Sequence, residues 1–358
     1  MGTAWGSRII TAVLIVTLSV AYATAQSSDP VSESQIEQQL LALTRDQIPM
    51  LIQRAGAEDV DAQCVLGVAY RRGAAVPHDD GEAIKWLTKA ARHGVAWVQN
   101  VLGDMYHHGT GVPQDDSEAL KWYRAAAEQH HPSAADSLGY MYFTGRGVHK
   151  DYALAAKWYA SAAEQGYAPA QNNLGQLYQH GMGVRRDYAA SAKWYRQAAE
   201  QELASAENNL GAMYEAGLGV PKDYPEAVRL YRAASEQGEP VSQSNLAFMY
   251  AHGQGVNKDY TKAAQWYRRS AEAGYTPAQA RLGELCVTGQ GVPLDYVAAY
   301  SWYKSAAAAG YEPAKQSMAV LSQRMTAKQV QAGEARFVNQ QAPRRSEAVI
   351  EEKKLPGK

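Results

Sequence analysis

Hydrophobic positions recur along the chain with a period of 36 residues and no insertion between copies. In each copy a Leu is followed seven residues later by a Gly, and in six of the seven copies a Tyr stands four residues after the Leu. Apolar residues three or four positions apart are typical of one helix face, and a fixed period of this length is typical of a repeat protein. The Leu column consists of Leu66, Leu102, Leu138, Leu174, Leu210, Leu246 and Leu282.

Each copy predicts two helices. The first carries Leu138 and Tyr142 in the third copy and ends at Gly145, because glycine readily adopts the left-handed conformation that closes helices. The second begins at Asp151, whose carboxylate can accept hydrogen bonds from the free N–H groups of the first turn, and it carries Trp158. One helix pair cannot bury its own apolar face, so the copies must stack. The sequence therefore predicts an all-α fold, a right-handed α/α superhelical solenoid of seven 36-residue helix-pair repeats with helical caps.

The repeats divide the chain into six predicted parts. These are a signal peptide over 1–25, a flexible segment over 26–45, a capping helix over 46–61, seven repeats over 62–314, capping helices over 315–338 and a disordered tail over 339–358. The signal peptide is indicated by Arg8, by the apolar run from Ile9 to Val20 and by the small residues around Ala23. The apolar run is too short to span a bilayer. We therefore expect an exported protein, periplasmic or secreted from a bacterium, without stable membrane insertion.

Charge argues against a nucleic-acid partner, and the positions of the cysteines argue against a disulfide. The chain has 35 basic and 36 acidic side chains and a formal net charge of −1, with no clustering of the kind that nucleic-acid binding requires. We therefore expect no nucleic-acid partner. The two cysteines, Cys64 and Cys286, lie in the first and last repeats, too far apart in a stacked array to form a disulfide.

Candidate catalytic and metal-binding residues are few. His108, His180 and His252 share a column in alternating repeats, but side chains two repeats apart cannot ligate one metal ion. Gly-x-Ser-x-Gly, Ser-x-x-Lys, Walker and His-Glu-x-x-His motifs do not occur. The repeated Gly-x-Gly lies between two helices and does not follow a strand, so it predicts a turn and no phosphate site. We predict no enzyme activity, no cofactor and no metal.

The motifs Leu-Gly-x-x-Tyr, Gly-x-Gly-Val, Asp-Tyr, Ala-x-x-Trp-Tyr and Ala-Ala resemble the Sel1-like repeat family, which is related to the tetratricopeptide repeats. Departures from the pattern include Asp116 in place of Tyr, Leu230 in place of Trp, and His130 and Glu202 where other repeats close a helix with Gly. The resemblance implies an adaptor role and a concave side lined by the first helices.

The positions two before, two after and five after each column Leu vary between repeats and lie on one stripe of the first helix, here called the first-helix stripe. Tyr140 and Phe143 stand out, because exposed aromatics among polar groups are good interface anchors. The alternative, that they pack on loops or neighbouring repeats, stays open at this stage. The predicted partner-binding residues are Asp104, His107, Asp136, Tyr140, Phe143, Asn172, Gln176, Gln179, Asn208, Glu215 and Phe248.

The sequence thus predicts an exported, non-enzymatic scaffold that binds protein partners on the concave face of the solenoid. Two alternatives remain. One is a weak hydrolase of cell wall or β-lactams, a role linked to exported relatives whose repeats each hold a disulfide, which this chain lacks. The other is a periplasmic regulator that sequesters the sensor domain of a membrane kinase.

Overall fold

The structure is a computed structural model and describes residues 32–341. These residues form eighteen α-helices and one 3-10 turn, Arg45–Gln47, and contain no strand. The first helices of the seven repeats are α3 (Val60–Arg72), α5 (Ala96–His108), α7 (Pro132–Thr144), α9 (Ala168–His180), α11 (Ala204–Ala216), α13 (Pro240–His252) and α15 (Thr276–Thr288). The second helices are α4 (Asp80–Arg92), α6 (Asp116–Ala127), α8 (Tyr152–Ala163), α10 (Tyr188–Ala199), α12 (Tyr224–Glu236), α14 (Tyr260–Glu272) and α16 (Tyr296–Ala308).

Four further helices lie at the ends of the array: α1 (Glu33–Ala42), α2 (Ile48–Gly56), α17 (Glu312–Ser322) and α18 (Ala327–Gln341). From α2 to α17, each helix packs against the next one along the chain. The prediction of an all-α solenoid built from seven helix pairs is therefore confirmed.

The predicted helix ends have the expected chemistry. Gly145 closes α7 in the left-handed conformation, with a φ of 77°, and its N–H donates to the carbonyl of Met141. At the start of α8, an Asp151 carboxylate oxygen accepts from the N–H groups of Ala153 and Leu154, each at 2.9 Å. Both ends satisfy backbone groups that a helix terminus leaves unpaired.

Close approach of the two helices in a repeat depends on the small residue that follows the column Leu, which is Gly in six repeats and Ala247 in the sixth repeat. A Cβ on Gly139 would lie 2.7 Å from Cδ1 of Tyr159, so a larger residue would displace that ring. Tyr159 is 3% exposed, whereas the preceding Trp158 is only half-buried. In this repeat the Tyr that follows the Trp therefore forms more of the core than the Trp itself.

A buried Gln column joins successive repeats. The side-chain amide of Gln171 donates to the carbonyl of Ala163 at 3.1 Å, and that of Gln243 donates to the carbonyl of Ser235 at 3.2 Å. Each bond ties the start of a first helix to the last turn of the preceding second helix. Each of these carbonyls also accepts from the N–H of the turn glycine, Gly166 or Gly238, so the Gln amide is its second donor.

Both ends of the array differ from the sequence prediction. The segment 26–45 was expected to be flexible, but it contains α1, whose Ile36 and Leu40 are buried and whose Glu37 pairs with Arg72 at 2.6 Å. The predicted tail was expected from residue 339, but α18 continues to Gln341. Residues 33–42 form a helix because a short amphipathic face is buried against α3. The sequence did not reveal this helix, since the 36-residue period gives no information outside the repeats.

The chain on either side of residues 32–341 carries three of the predictions. The signal peptide, the first residues of the predicted flexible segment and residues 342–358 of the predicted tail lie outside the described residues.

The two cysteines are buried and unbridged, as expected from their positions in the first and last repeats. Burial raises the pKa of Cys64 to about 12 and also raises the pKa of Cys286. Both thiols therefore stay protonated at neutral pH, which suppresses their reactivity.

Candidate functional site

The column two residues before each Leu forms a ladder of side-chain hydrogen bonds between neighbouring first helices, here called the amide ladder. The Nδ2 groups of three asparagines donate to the column residue of the preceding repeat at 2.9–3.0 Å. The bonds are Asn173 to Asp136, Asn209 to Asn172, and Asn245 to Asn208.

The amide ladder corrects part of the predicted partner-binding surface. Asn172 is 6% exposed and was wrongly expected on a solvent-facing stripe, while Asn208 is half-buried and also accepts from the Ser242 hydroxyl at 3.1 Å. Neighbouring first helices approach closely enough here for short polar side chains to meet. These two residues therefore join repeats and offer little free surface.

Asp136 is the one carboxyl group in the amide ladder. It is half-buried and accepts from Asn173. Burial raises the pKa of Asp136 to about 6, although the hydrogen bond from Asn173 acts in the opposite direction. The Asp136 carboxylate is thus held in an environment that disfavours its charged form.

Three of the predicted residues accept hydrogen bonds from core tyrosines of the second helices. The hydroxyl of Tyr123 donates to Asp104 at 2.8 Å, that of Tyr195 to Gln179 at 2.7 Å, and that of Tyr231 to Glu215 at 2.7 Å. These bonds satisfy a buried hydroxyl in the second, fourth and fifth repeats. Asp104, Gln179 and Glu215 are therefore partly structural, with their remaining surface on the first-helix stripe.

The third repeat lacks such an acceptor. At its positions two and five after the Leu stand Tyr140 and Phe143, and among the described residues the Tyr159 hydroxyl has no hydrogen-bonding partner. A cleft of about 170 Å³ opens above this hydroxyl, here called the aromatic cleft. It is lined by Tyr140, Phe143, Tyr159, Asn173, Gln176 and Leu177.

The aromatic cleft combines apolar and polar walls. Tyr140 is 42% exposed, and the Phe143 ring is half-buried with its centroid 5.3 Å from that of Tyr152. The amides of Asn173 and Gln176 provide donors and acceptors beside these rings. Tyr140 and Gln176, which the sequence predicted, are thus exposed and adjacent, and Phe143 forms a wall between them and the core.

A second group of polar residues borders the aromatic cleft. Nδ1 of His107 lies 2.6 Å from Asp116, and its Nε2 lies 3.3 Å from a guanidinium nitrogen of Arg146. Since a guanidinium can only donate, Nε2 accepts and the proton resides on Nδ1, which donates to the carboxylate. The His107 ring also stands edge-on to Tyr140, with 6.2 Å between centroids. The sequence showed Asp116 as a departure from Tyr but not its pairing with His107.

Phe248 does not belong to this group. It lies on α13, three repeats away from Tyr140, and its ring packs against His252 with 3.9 Å between centroids. The ring is half-buried against the core. Phe248 is therefore a separate feature of the first-helix stripe.

Other kinds of site are not found in the described part of the chain. Residues 32–341 contain no group of three or more His, Cys, Asp or Glu residues placed to hold a metal ion. No helix in this range is both long and apolar enough to cross a bilayer. The aromatic cleft itself is smaller than the roughly 300 Å³ at which small-molecule pockets begin, and it suits a single inserted side chain.

Stacked helix pairs in strict register, with a variable stripe along the first helices, define an α-helical repeat solenoid. The model of the Sel1 repeat matches seven consecutive segments, residues 60–95, 98–131, 132–167, 168–203, 204–239, 240–275 and 276–311. The chain belongs to the Sel1 repeat family. The resemblance that the motifs indicated is thereby confirmed.

Two solved structures are similar over most of the chain. A Sel1 repeat protein from Oxalobacter formigenes is 33% identical with a TM-score of 0.64, covering 82% of this chain and 83% of that one. A protective antigen present in uropathogenic Escherichia coli strains, which displays the same fold, is 27% identical with a TM-score of 0.50, covering 87% and 94%. A comparison with curated proteins gave no match.

Proposed function

We propose that this chain is an exported, non-enzymatic scaffold that binds a protein partner along the first-helix stripe, with the aromatic cleft as the anchor point. The observation that carries the proposal is Tyr140, a large ring that is 42% exposed beside an open cleft. Tyr side chains bury much area at little entropic cost and are enriched among the residues that dominate binding energy. Asn173 and Gln176 supply hydrogen bonds at the rim.

The family supports this proposal. Sel1 repeat proteins commonly act as protein-interaction scaffolds, and this chain has seven consecutive repeats. The similarity to a protein described as a protective antigen is consistent with export, since an exported protein is accessible to antibodies. The apolar run of residues 9–20 supports it independently.

The hydrolase alternative has less support. His107 and Asp116 form a pair of the kind that orients a catalytic imidazole, but Nε2 of His107 accepts a hydrogen bond from Arg146. That nitrogen is therefore not available to take a proton from a nucleophile. The kinase-sensor alternative is one form of the scaffold proposal and differs only in the partner.

The proposal is tested with a double variant, Tyr140→Ala with Phe143→Ala. Purified wild-type protein captures a partner from envelope and culture-fluid extracts, and the affinity of that partner is then measured directly for each variant. We expect binding to weaken about tenfold or more, because truncated anchor residues commonly cost at least 1–2 kcal/mol.

A matched control changes an exposed apolar residue elsewhere. Leu294 is 61% exposed and precedes α16, and Leu294→Ala should leave the affinity unchanged. Circular dichroism and thermal melting confirm that each variant remains folded. Unchanged affinity of the folded double variant would remove the aromatic cleft from the binding site.

Export is tested separately by mass spectrometry of the protein from its native host. We expect a mature chain that begins near Gln26, recovered outside the cytosol. A chain that keeps residues 1–25 and stays in the cytosol would contradict export without affecting the binding proposal.

A further inference from the structure

A second cleft lies in the same register as the aromatic cleft, four repeats further along the chain. Its volume is about 430 Å³, and it is lined among others by Val287, Tyr303, Gln316, Val320, Leu321 and Arg324. Val287 corresponds in the repeat to Phe143, Tyr303 to Tyr159, and Val320 to Gln176. The two clefts are therefore versions of one site between successive first helices, and we call this one the C-terminal cleft.

The C-terminal cleft is larger than the aromatic cleft, and it lies where the array ends. In a full repeat, the second helix packs against its own first helix, but α18 instead packs against α16. Glu334 of α18 accepts from the Tyr300 hydroxyl at 2.7 Å, and Gly333 lies close to the Tyr300 ring. As a result α17 is largely exposed, and its Val320 is 55% exposed.

One unpaired positive charge stands at the rim. Arg324 is exposed, and its guanidinium has no acidic partner within residues 32–341. The neighbouring cations are already paired: Arg281 with Glu284 at 2.9 Å, and Lys315 with Glu312 at 3.6 Å. The cleft thus presents an apolar floor beside a single free guanidinium, which is a good bidentate donor for a carboxylate.

The volume is consistent with a larger occupant than the aromatic cleft accepts. About 430 Å³ lies within the range of roughly 300–1,000 Å³ typical of ligand-binding pockets. Besides Arg324, the polar groups of Gln316 and Ser317 line the opening. These groups can bond the main chain of a polypeptide whose side chain enters the cleft.

We propose that the C-terminal cleft binds a segment of the partner protein in which a large aliphatic or aromatic side chain adjoins a carboxylate. The apolar side chain contacts Val287, Val320 and Leu321, and the carboxylate pairs with Arg324. The choice of a polypeptide occupant rests on the proposed scaffold function, while the charge and apolar preferences rest on the cleft itself.

The probe is an array of 12-residue peptides with randomised flanks and a defined central pair. The first central residue is Phe, Leu or Ala, and the second is Asp, Asn or Lys. Wild-type protein should favour Phe-Asp and Leu-Asp over both the Ala-Asp and the Phe-Lys peptides. Arg324→Gln should lower binding of the acidic peptides about threefold or more, in line with a rim charge pair, and Arg324→Glu should favour Lys peptides instead.

Two further variants separate charge from apolar contact. Val320→Ser should weaken all Phe and Leu peptides by about fivefold, the equivalent of about 1 kcal/mol of lost apolar burial, without changing the preference for acid. Lys315→Gln, which removes a paired cation of α17, should have no effect. Both Arg324 and Val320 are exposed, so the variants should remain folded, which melting curves verify.

The results also distinguish this inference from the scaffold proposal. The acidic preference should persist in the Tyr140→Ala, Phe143→Ala protein, since that variant leaves the C-terminal cleft intact. Peptide binding that depends on Tyr140 and Phe143 but not on Arg324 would overturn this inference and leave the scaffold proposal standing. Two other results would also overturn it. One is that the protein binds the fatty acid decanoate, an apolar carboxylate, but no peptide; the other is that it binds Asp peptides no better than Asn or Lys peptides.

Discussion

Asp136 places a carboxyl group where the next two repeats, at Asn172 and Asn208, have an amide. All three accept a hydrogen bond from an Asn on the following first helix. An amide makes this bond without a charge, whereas the Asp136 carboxylate must be desolvated. The raised pKa of Asp136 is the measure of that cost.

We expect Asp136→Asn to stabilise the protein at neutral pH. The pKa of Asp136 rises from 3.8 to about 6 on folding, so the folded chain binds this proton more tightly than the unfolded chain. The contribution of Asp136 to the free energy of unfolding is therefore most favourable below pH 4 and falls as the pH rises through 6. The variant should be more stable at pH 7 by about 1–3 kcal/mol, with the difference vanishing near pH 4.

Melting curves of both proteins between pH 4 and pH 8 check this prediction. Asn172→Asp is the matched converse, because it puts a carboxyl at the equivalent buried position one repeat later. It should lose stability at pH 7 and acquire the pH dependence that Asp136→Asn loses. Parallel pH profiles for wild type and Asp136→Asn would show that the carboxyl is not held in a disfavoured state.

In the turns between helix pairs, a single residue sets how much strain the end of the second helix carries. Repeats one, three, five, six and seven close their second helix with a glycine in the left-handed region, such as Gly166 with a φ of 87°. His130 and Glu202 adopt the same region, with φ values of 62° and 60°. For residues with a side chain this conformation costs about 1–2 kcal/mol. His130 and Glu202 therefore carry backbone strain that a glycine at the same position avoids.

We expect Glu202→Gly to raise the free energy of unfolding by about 0.5–1 kcal/mol, the backbone gain less the added flexibility of the unfolded chain. Burial is the main cause of the raised pKa of Glu207, and the change also removes the Glu202 charge, which raises that pKa further. Gly166→Ala, at the same position one repeat earlier, is the control. An added Cβ there meets nothing within 4 Å, so its expected destabilisation isolates the backbone effect. A loss of stability in Glu202→Gly would contradict the strain that we assign to this turn.

At the scale of the whole molecule, the 36-residue period predicted the repeats because helix spacing, end residues and stacking all repeat with the sequence. The period could not predict α1, because Ile36 and Leu40 pack against the first repeat and this contact does not recur along the chain. The candidate site was predicted in outline, since the first-helix stripe contains Tyr140, Phe143 and Gln176. The burial of individual residues on the stripe was not predicted, because the burial of Asn172 depends on the distance between neighbouring first helices. The pair His107–Asp116 joins residues of two helices, and no spacing rule in the sequence connects them.

The amide ladder also has a mechanical consequence. A solenoid changes its curvature by moving neighbouring first helices apart or together, and three bonds of 2.9–3.0 Å in series tie α7, α9, α11 and α13 along that edge. These bonds hold the spacing of the four helices nearly constant along one side. We therefore expect α7 to α13 to move as one rigid segment and changes in curvature to occur outside it. The aromatic cleft sits on the stiff segment and the C-terminal cleft beyond it. A partner that occupies both clefts would therefore bind one rigid site and one site whose position can adapt to it.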